Sequence, residues 1–280
     1  MATIELSGTY TALITPFRDD EEQSIDWAAY DELIEAQVAG GVQGLVPCGT
    51  TGESPTLSHH EHEQVIARTV ERARGRAQVI AGVGSNSTRE AIDLARAAER
   101  AGVDVVMGVV PYYNKPTQEG LRRHFLALAR AVSVPVIVYN IPSRTGIDLS
   151  ADTLVRIASE APNVIGTKEA TGNVLRTQEL ARRLGPRFAI LSGDDALTLP
   201  LIASGGRGVI SVTSNVLPRE VAQATALALS GELARARGAP CALAGARVDV
   251  HRGEPRAREG RPRRAREDQG SGPQPARARD

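Results

Sequence analysis

The sequence contains two lysines, Lys115 and Lys168, in a chain where arginine supplies nearly all of the positive charge. Arginine does not readily lose a proton, so it cannot replace an amine nucleophile. Lys168 directly follows the apolar run 164–167, and we expect it at the end of a buried strand. An ammonium group there loses hydration, which lowers its pKa and frees the amine to attack a carbonyl carbon. The sequence therefore favours imine chemistry at Lys168 over a lysine that only reaches the surface.

Imine chemistry also requires groups that move protons. Tyr139 ends a neighbouring predicted strand, while Thr50 and Thr51 supply hydroxyls that could relay a proton or bind a carboxylate. Arg144 lies in a loop bounded by proline and glycine, and its planar guanidinium matches a carboxylate. Each has a plainer interpretation, namely a core aromatic for Tyr139 and a surface charge for Arg144.

The sequence predicts neither a metal site nor a nucleotide site. His59, His60 and His62 lie close together, but a His-x-x-His pattern without a further spaced ligand is weak. Residues 82–87 lack the third glycine of a dinucleotide-binding loop, and no glycine-rich loop carries a P-loop lysine. We therefore expect no metal and no cofactor, with any covalent intermediate carried by Lys168.

Eight short apolar runs recur along the chain and predict eight strands. Several are continuous Val/Ile/Leu runs, which are typical of parallel strands covered on both faces. The predicted strands are 8–17, 42–48, 78–83, 103–110, 134–139, 163–167, 188–191 and 208–212. Predicted helices lie between them, at 24–39, 117–131, 150–161, 174–184, 196–203 and 218–229, with two more that begin at the capping boxes of Ser58 and Ser87. Ser24 is the predicted N-cap of the first helix, and Gly40, Gly102 and Gly185 are predicted C-caps.

Eight alternating strand–helix units favour an α/β fold of the closed (β/α)8 type, a TIM barrel, over a doubly wound sheet. The active site of such a barrel lies where the strands end and the following loops begin. The candidate catalytic residues all end or follow predicted strands, so we expect them to converge at one end of the barrel.

We divide the chain into a catalytic barrel, residues 1–237, and a tail, residues 238–280. The tail is rich in Arg, Ala, Gly and Pro and nearly lacks large apolar side chains, which predicts disorder. All four residue types have GC-rich codons, and the tail begins in the middle of a helical pattern. A shifted reading frame therefore explains it better than a selected arginine-rich tail that binds anions or nucleic acid.

The bulk composition points to the cytoplasm. The formal net charge is zero, which gives no indication of a nucleic-acid or membrane partner. The two cysteines, Cys48 and Cys241, do not form a disulfide framework. The N-terminus resembles no signal peptide, and no apolar run is long enough to span a membrane.

Four motifs in order resemble the dihydrodipicolinate synthase family. They are GTTGE at 49–53, PYYN at 111–114, VYNIPSRTG at 138–146 and GTKEATG at 166–172. The resemblance runs from about Leu6 to Arg237, and the family belongs with the pyruvate-dependent class I aldolases, which include N-acetylneuraminate lyase. It implies condensation of pyruvate with aspartate 4-semialdehyde to 4-hydroxy-tetrahydrodipicolinate, on the diaminopimelate route to lysine. The SRTG run favours this activity over aldolases of sialic or other sugar acids.

The resemblance also implies roles for single residues. Lys168 would form the imine with pyruvate, and Tyr139, Thr51 and a Tyr113 from a neighbouring subunit would relay protons. Arg144 would bind the carboxylate of the second substrate. The further positions that line the pocket are Thr50, Gly193 and Ile210. The family implies a homotetramer built as a dimer of dimers.

A second site implied by the resemblance would bind lysine as a feedback inhibitor. Its positions in this chain are Ser54, His59, His62, Asn86, Glu90 and Tyr112. Glu90 suits an amino group, while His62 and Asn86 suit a carboxylate; the plainer interpretation is ordinary polar residues on helix surfaces. After Arg237 the chain does not resemble the family's three-helix C-terminal domain, so we expect weakened stability and assembly. A related keto-acid aldolase and an inactive product with an anion-binding tail are the alternatives.

Overall fold

The computed structural model describes residues 4–239, and within them eight parallel strands close into a barrel. The strands follow one another in sequence order around the barrel, and the last pairs with the first. They are β1 Gly8–Ala12, β2 Gly44–Val46, β3 Gln78–Gly82, β4 Val105–Val109, β5 Val136–Asn140, β6 Val164–Glu169, β7 Ala189–Ser192 and β8 Gly208–Ser211. The predicted (β/α)8 barrel is confirmed. Residues 240–280, most of the tail for which we predict disorder, lie outside the described part.

Helices cover the outside of the barrel. Within residues 4–239 they are α1 Trp27–Gly40, α2 His59–Ala73, α3 Thr88–Ala101, α4 Gln118–Ala131, α5 Pro142–Thr145, α6 Ala151–Glu160, α7 Val174–Leu184, α8 Thr198–Ala203, α9 Pro218–Leu229 and α10 Leu233–Arg237. Short 3-10 helices lie at Ser54–Thr56, Asp195–Leu197 and Thr213–Asn215. None of the helices in this part of the chain combines the length and the apolar character that crossing a bilayer requires.

The predicted capping boxes differ in outcome. The box at Ser58 is complete, with both reciprocal hydrogen bonds present. Ser87 accepts the backbone N–H of Glu90 as predicted. The Glu90 carboxylate, however, accepts hydrogen bonds from Ser85 and binds the His59 ring. This second box is therefore half formed, because its acidic member is engaged between two helices.

Two predicted helix ends are wrong by one or two residues. Asp26, not Ser24, caps α1, because the Ser24 hydroxyl donates instead to the Asp20 carboxylate at 2.5 Å. At the other end, Gly40 is the last helical residue and Gly41 is the C-cap. Gly41 adopts the left-handed conformation, with φ of 82°, that glycine reaches without a steric penalty.

Two apolar layers hold the barrel together. The outer layer fills the space between strands and helices, with members such as Tyr30, Val65 and Phe125. The inner layer fills the barrel itself with the side chains of Leu6, Tyr10, Ala12, Val46, Ile80, Val105, Met107, Ile137, Tyr139, Ala189, Leu191 and Ile210. Because the interior is packed with side chains, it is a solid support for whatever lies above it.

Candidate active site

Lys168 and Tyr139 lie side by side at the end of the barrel. They are paired in register on the neighbouring strands β6 and β5. The Lys168 Nζ lies 4.3 Å from the centroid of the Tyr139 ring. Lys168 is only 6% exposed and Tyr139 only 5%. The predicted amine and the predicted proton donor therefore share one buried pocket.

The surroundings of Lys168 favour its neutral form. Burial lowers the pKa of the Lys168 ammonium from its ordinary 10.5 to about 8. The Asp195 carboxylate opposes this change, and the Arg144 guanidinium adds to it. A pKa of about 8 leaves an appreciable fraction of neutral amine near neutral pH, which is what a nucleophile that attacks carbonyl groups requires.

The surroundings of Tyr139 also favour its neutral form. Burial raises the pKa of the Tyr139 phenol to about 12, although Arg144 and a hydrogen bond with Thr50 act in the opposite direction. Tyr139 is therefore protonated at neutral pH and can donate a proton. The sequence leaves Thr50 open to proton relay or carboxylate binding, and this hydrogen bond with Tyr139 favours the relay. Thr51, the predicted relay residue, follows it in the same loop and is half-buried.

Arg144 lies on the one-turn helix α5, which directly follows β5. Its charge acts on both Lys168 and Tyr139. The side chain is exposed, and Gly146, in the left-handed conformation with φ of 69°, ends the helix. A guanidinium at the mouth of the pocket is suited to bind the carboxylate of an entering substrate.

Gly193 packs against the hydrocarbon stem of Lys168. A Cβ at this position would lie 3.2 Å from the Lys168 Cε and 2.7 Å from the Ala170 Cβ. A side chain here would displace the reacting amine. Ile210, the other predicted pocket position, is fully buried in the inner layer on β8.

Asp195 is a candidate residue to which sequence analysis assigned no role in the reaction. Its carboxylate accepts hydrogen bonds from the Ser211 hydroxyl at 2.5 Å and from the backbone N–H groups of Val212 and Thr213 at 3.0 and 3.1 Å. These bonds join the loop after β7 to the end of β8. The same carboxylate acts electrostatically on Lys168. A sequence signal did exist, since an acidic residue follows the strand next to the one that carries Lys168.

Tyr113 lies apart from this pocket. It is 88% exposed on the loop after β4, and its backbone is in the left-handed region with φ of 68°. A non-glycine residue pays a steric cost there, so the loop is held by its surroundings. A side chain this exposed does not line the pocket of its own chain.

A second polar cluster contains the positions that the resemblance assigns to lysine. The His59 Nε2 lies 2.8 Å from a Glu90 carboxylate oxygen, and both residues line an open cleft between α2 and α3. Burial raises the pKa of the Tyr112 phenol, the nearby Glu90 carboxylate adds to this rise, and a hydrogen bond with the Asn86 backbone opposes it. His62 is buried, and its Nδ1 has no hydrogen-bond partner within residues 4–239. Ser54 begins the 3-10 helix that follows the Thr50–Thr51 loop.

Comparison with known proteins agrees with the family that the motifs predict. The profile of the Dihydrodipicolinate synthetase family matches residues 5–242. A 4-hydroxy-tetrahydrodipicolinate synthase from Sorangium cellulosum is 61% identical over 243 residues, which are 87% of this chain and 80% of the relative.

Solved structures agree with both the fold and the family. A chloride-inhibited dihydrodipicolinate synthase from Acinetobacter baumannii, complexed with pyruvate, is 44% identical with a TM-score of 0.81, over 84% of this chain and 79% of its own. A dihydrodipicolinate synthase from Cyanidioschyzon merolae with lysine bound is 38% identical with a TM-score of 0.79, over 83% and 80% of the two chains. The protein described here belongs to the dihydrodipicolinate synthetase family.

Proposed function

We propose that this enzyme condenses pyruvate with aspartate 4-semialdehyde to form 4-hydroxy-tetrahydrodipicolinate through an imine on Lys168. The observation that carries the proposal is the buried amine of Lys168, with its lowered pKa, beside the Tyr139 ring. The names of the relatives support this activity over that of the related sugar-acid aldolases. A relative complexed with pyruvate supports the choice of first substrate.

The first stage is imine formation. The neutral Lys168 amine attacks the keto carbon of pyruvate, and the resulting carbinolamine loses water. Tyr139 protonates the departing hydroxyl, and Thr50 accepts or returns protons through its hydrogen bond with the phenol. The Tyr139–Thr50 relay, which has just given up a proton, then accepts one from the methyl carbon and so converts the imine into a nucleophilic enamine.

The second stage joins the two substrates. The Arg144 guanidinium binds the carboxylate of aspartate 4-semialdehyde and brings its aldehyde carbon to the enamine. A carbon–carbon bond forms, and the new alkoxide takes a proton from the relay. The substrate amine then attacks the imine carbon, which closes the ring and releases Lys168. The amine of Lys168 itself carries the covalent intermediate, so the proposal includes no cofactor.

The assembly and location of the enzyme are part of the same proposal. Tyr113 completes the relay of a neighbouring subunit, in a tetramer built as a dimer of dimers in the cytoplasm. The exposure of the Tyr113 ring supports a role between subunits, because a large aromatic side chain left in water is unfavourable.

Lysine is a feedback inhibitor in this proposal. Glu90 would bind an ammonium group of lysine, and the buried His62 would bind its carboxylate. The relative with lysine bound supports the identity of the ligand.

Pyruvate and borohydride test the imine. Reduction in the presence of pyruvate should attach a stable adduct to the peptide that contains Lys168. Lys115→Arg, the matched control, should leave the adduct in place, whereas Lys168→Arg should abolish it. An adduct absent from the unmodified enzyme, or unchanged in Lys168→Arg, would overturn the proposal. Product analysis with aspartate 4-semialdehyde then tests the second substrate.

A further inference from the structure

A buried ion pair lies directly behind the reacting residues. Glu169 follows Lys168 on β6, and since side chains alternate along a strand, it faces away from the barrel interior. Its carboxylate accepts a hydrogen bond from the Arg176 Nε at 2.9 Å, and the two side chains are only 2% and 9% exposed. The second carboxylate oxygen accepts the Thr171 backbone N–H at 3.0 Å. The pair thus fixes the turn between β6 and α7.

Arg176 also reaches the loop that carries Arg144. Its Nη2 donates to the Leu149 carbonyl at 2.5 Å, and its Nη1 lies 4.0 Å from the Asp148 carboxylate. Asn140 completes the circuit: its amide oxygen accepts the Leu149 N–H at 3.2 Å, and its amide nitrogen donates to Asp148 at 2.7 Å. Asn140 is fully buried and directly follows Tyr139.

These contacts pin both ends of the loop 141–149. Its beginning continues from Asn140 on β5, and its end is held by Arg176 from α7. Within it, the Thr145 hydroxyl bonds to the carbonyls of Ile141 and Ile147 at 3.0 and 2.9 Å. The loop cannot move without leaving a buried polar group unpaired, which is costly in a low-dielectric interior.

We propose that Arg176 is a positioning residue for the second substrate. It fixes the loop 141–149 so that Arg144 meets the substrate carboxylate at the mouth of the pocket. Arg176 lies behind β5 and β6, where it pairs with Glu169, and it reaches the mouth of the pocket through this loop. The proposal rests on the function proposed above, because it assigns Arg144 to the second substrate and Lys168 to pyruvate.

Kinetics with the two substrates separates positioning from general support. Arg176→Lys keeps a positive charge near Glu169 but loses the planar fork that reaches the Leu149 carbonyl. We expect its KM for aspartate 4-semialdehyde to rise about tenfold or more, because small displacements of a binding group are costly. Its rate of borohydride trapping with saturating pyruvate should stay within about twofold of the unmodified enzyme, since Lys168 and Tyr139 are untouched.

Two further variants keep the test decisive. Asp148→Asn perturbs the same circuit at an exposed residue, so it should fold even if Arg176→Lys does not, and its KM for the aldehyde should also rise. Arg183→Met is the matched control. Arg183 also lies on α7, and its loss removes ion pairs with Asp152 and Glu179. This variant should change neither the KM for the aldehyde nor the rate of pyruvate trapping.

The possible outcomes are distinct. An unchanged KM for the aldehyde in Arg176→Lys, or in Asp148→Asn if the former fails to fold, overturns the positioning role. A parallel loss of pyruvate trapping also overturns it, because Arg176 would then support the whole site. Failure of the unmodified enzyme to trap pyruvate overturns the proposed function itself, and the positioning role with it.

Discussion

Burial moves the pKa values of the two central side chains in opposite directions. The pKa of Lys168 falls to about 8 and that of Tyr139 rises to about 12, because a pocket with little water penalises the charged form of each. Both side chains are therefore driven toward the neutral state. Burial in one pocket therefore gives a neutral amine nucleophile and a protonated phenol at the same pH.

Asp195 should tune the amine. Its carboxylate raises the pKa of Lys168, so Asp195→Asn is expected to lower that pKa further. The rate of pyruvate trapping rises with the neutral fraction of the amine, and the midpoint of this rise should move to lower pH in the variant. Trapping rates measured between pH 6 and pH 10 check this.

The matched control for this prediction is Asp194→Asn. Asp194 is the adjacent residue, and its carboxylate accepts the Ala196 N–H at 2.9 Å instead of facing Lys168. Its midpoint should stay in place. A midpoint that stays in place or moves to higher pH in Asp195→Asn would contradict the electrostatic role.

At the scale of secondary structure, the pattern of apolar residues predicted the strands and most helices. Each of these elements is long enough to place several apolar side chains on one face. The ends of the elements were predicted less well. The predicted β1 extends to residue 17, whereas the strand in the barrel ends at Ala12. The four residues of α5 are too few to show a helical pattern of apolar residues. The sequence therefore predicts a loop where the helix that carries Arg144 lies. Sequence reasoning placed Arg144 correctly after β5 but gave no reason for its fixed position.

The hydrogen-bond network of Glu169 and Arg176 could not be predicted from the sequence, for a different reason. Glu169 and Arg176 are seven residues apart and meet only because the chain turns between β6 and α7. In a sequence so rich in arginine, such a pair is read as two surface charges. Ser24 and Asp26 show the same limit, since both residue types cap helices and only tertiary contacts decide between them.

The contact between α2 and α3 should decide the response to lysine. Glu90 on α3 joins His59 on α2, and its pKa is lowered mainly by hydrogen bonds from Ser85 and His59, so its carboxylate is charged at neutral pH. Glu90→Gln removes the charge that would bind an ammonium group. We expect the concentration of lysine for half inhibition to rise about tenfold or more, because hydrogen bonds to charged groups are the strong ones.

Lysine titrations of the steady-state rate measure this effect. Asp93→Asn is the matched control, because Asp93 lies on the same helix and lines the same cleft. Equal sensitivity to lysine in both variants would show that Glu90 does not bind the inhibitor. Insensitivity of the unmodified enzyme would remove lysine as a regulator.

At the scale of the whole molecule, the closed barrel collects residues that are far apart in the chain. Tyr139 and Lys168 lie near the ends of β5 and β6, while Thr50 and Asp195 follow β2 and β7. Closure of the barrel brings the ends of these strands to one rim. The packed inner layer lies beneath that rim and resists rearrangement. Precision at the site is therefore a property of the complete barrel.

The buried amine should lower the stability of the molecule. The pKa of Lys168 falls from 10.5 in its ordinary state to about 8 in the folded state, and at 1.36 kcal/mol per unit this corresponds to about 3 kcal/mol. The penalty is fully present below pH 8 and vanishes above pH 10.5, because the unfolded chain binds the extra proton in between. Lys168→Met should therefore be inactive and more stable by about 3 kcal/mol at pH 7.

Urea unfolding at pH 7 and pH 10.5 measures this difference. The gain should shrink toward zero at the higher pH, where the amine is neutral in the folded enzyme and only about half protonated in the unfolded chain. Lys115→Met, at an exposed position, is the control and should gain nothing at either pH. A gain that does not depend on pH would assign the effect to packing.

The division of the two lysines between solvent and interior gives the enzyme an internal reporter. With Lys115 on the surface and Lys168 in the pocket, the variant Lys115→Arg keeps a single lysine. Isotopic labelling of lysine would then give one side-chain nitrogen resonance from the whole chain. Its chemical shift would follow the protonation of the nucleophile, its capture by a keto acid and its release, each as a separate signal from the same atom.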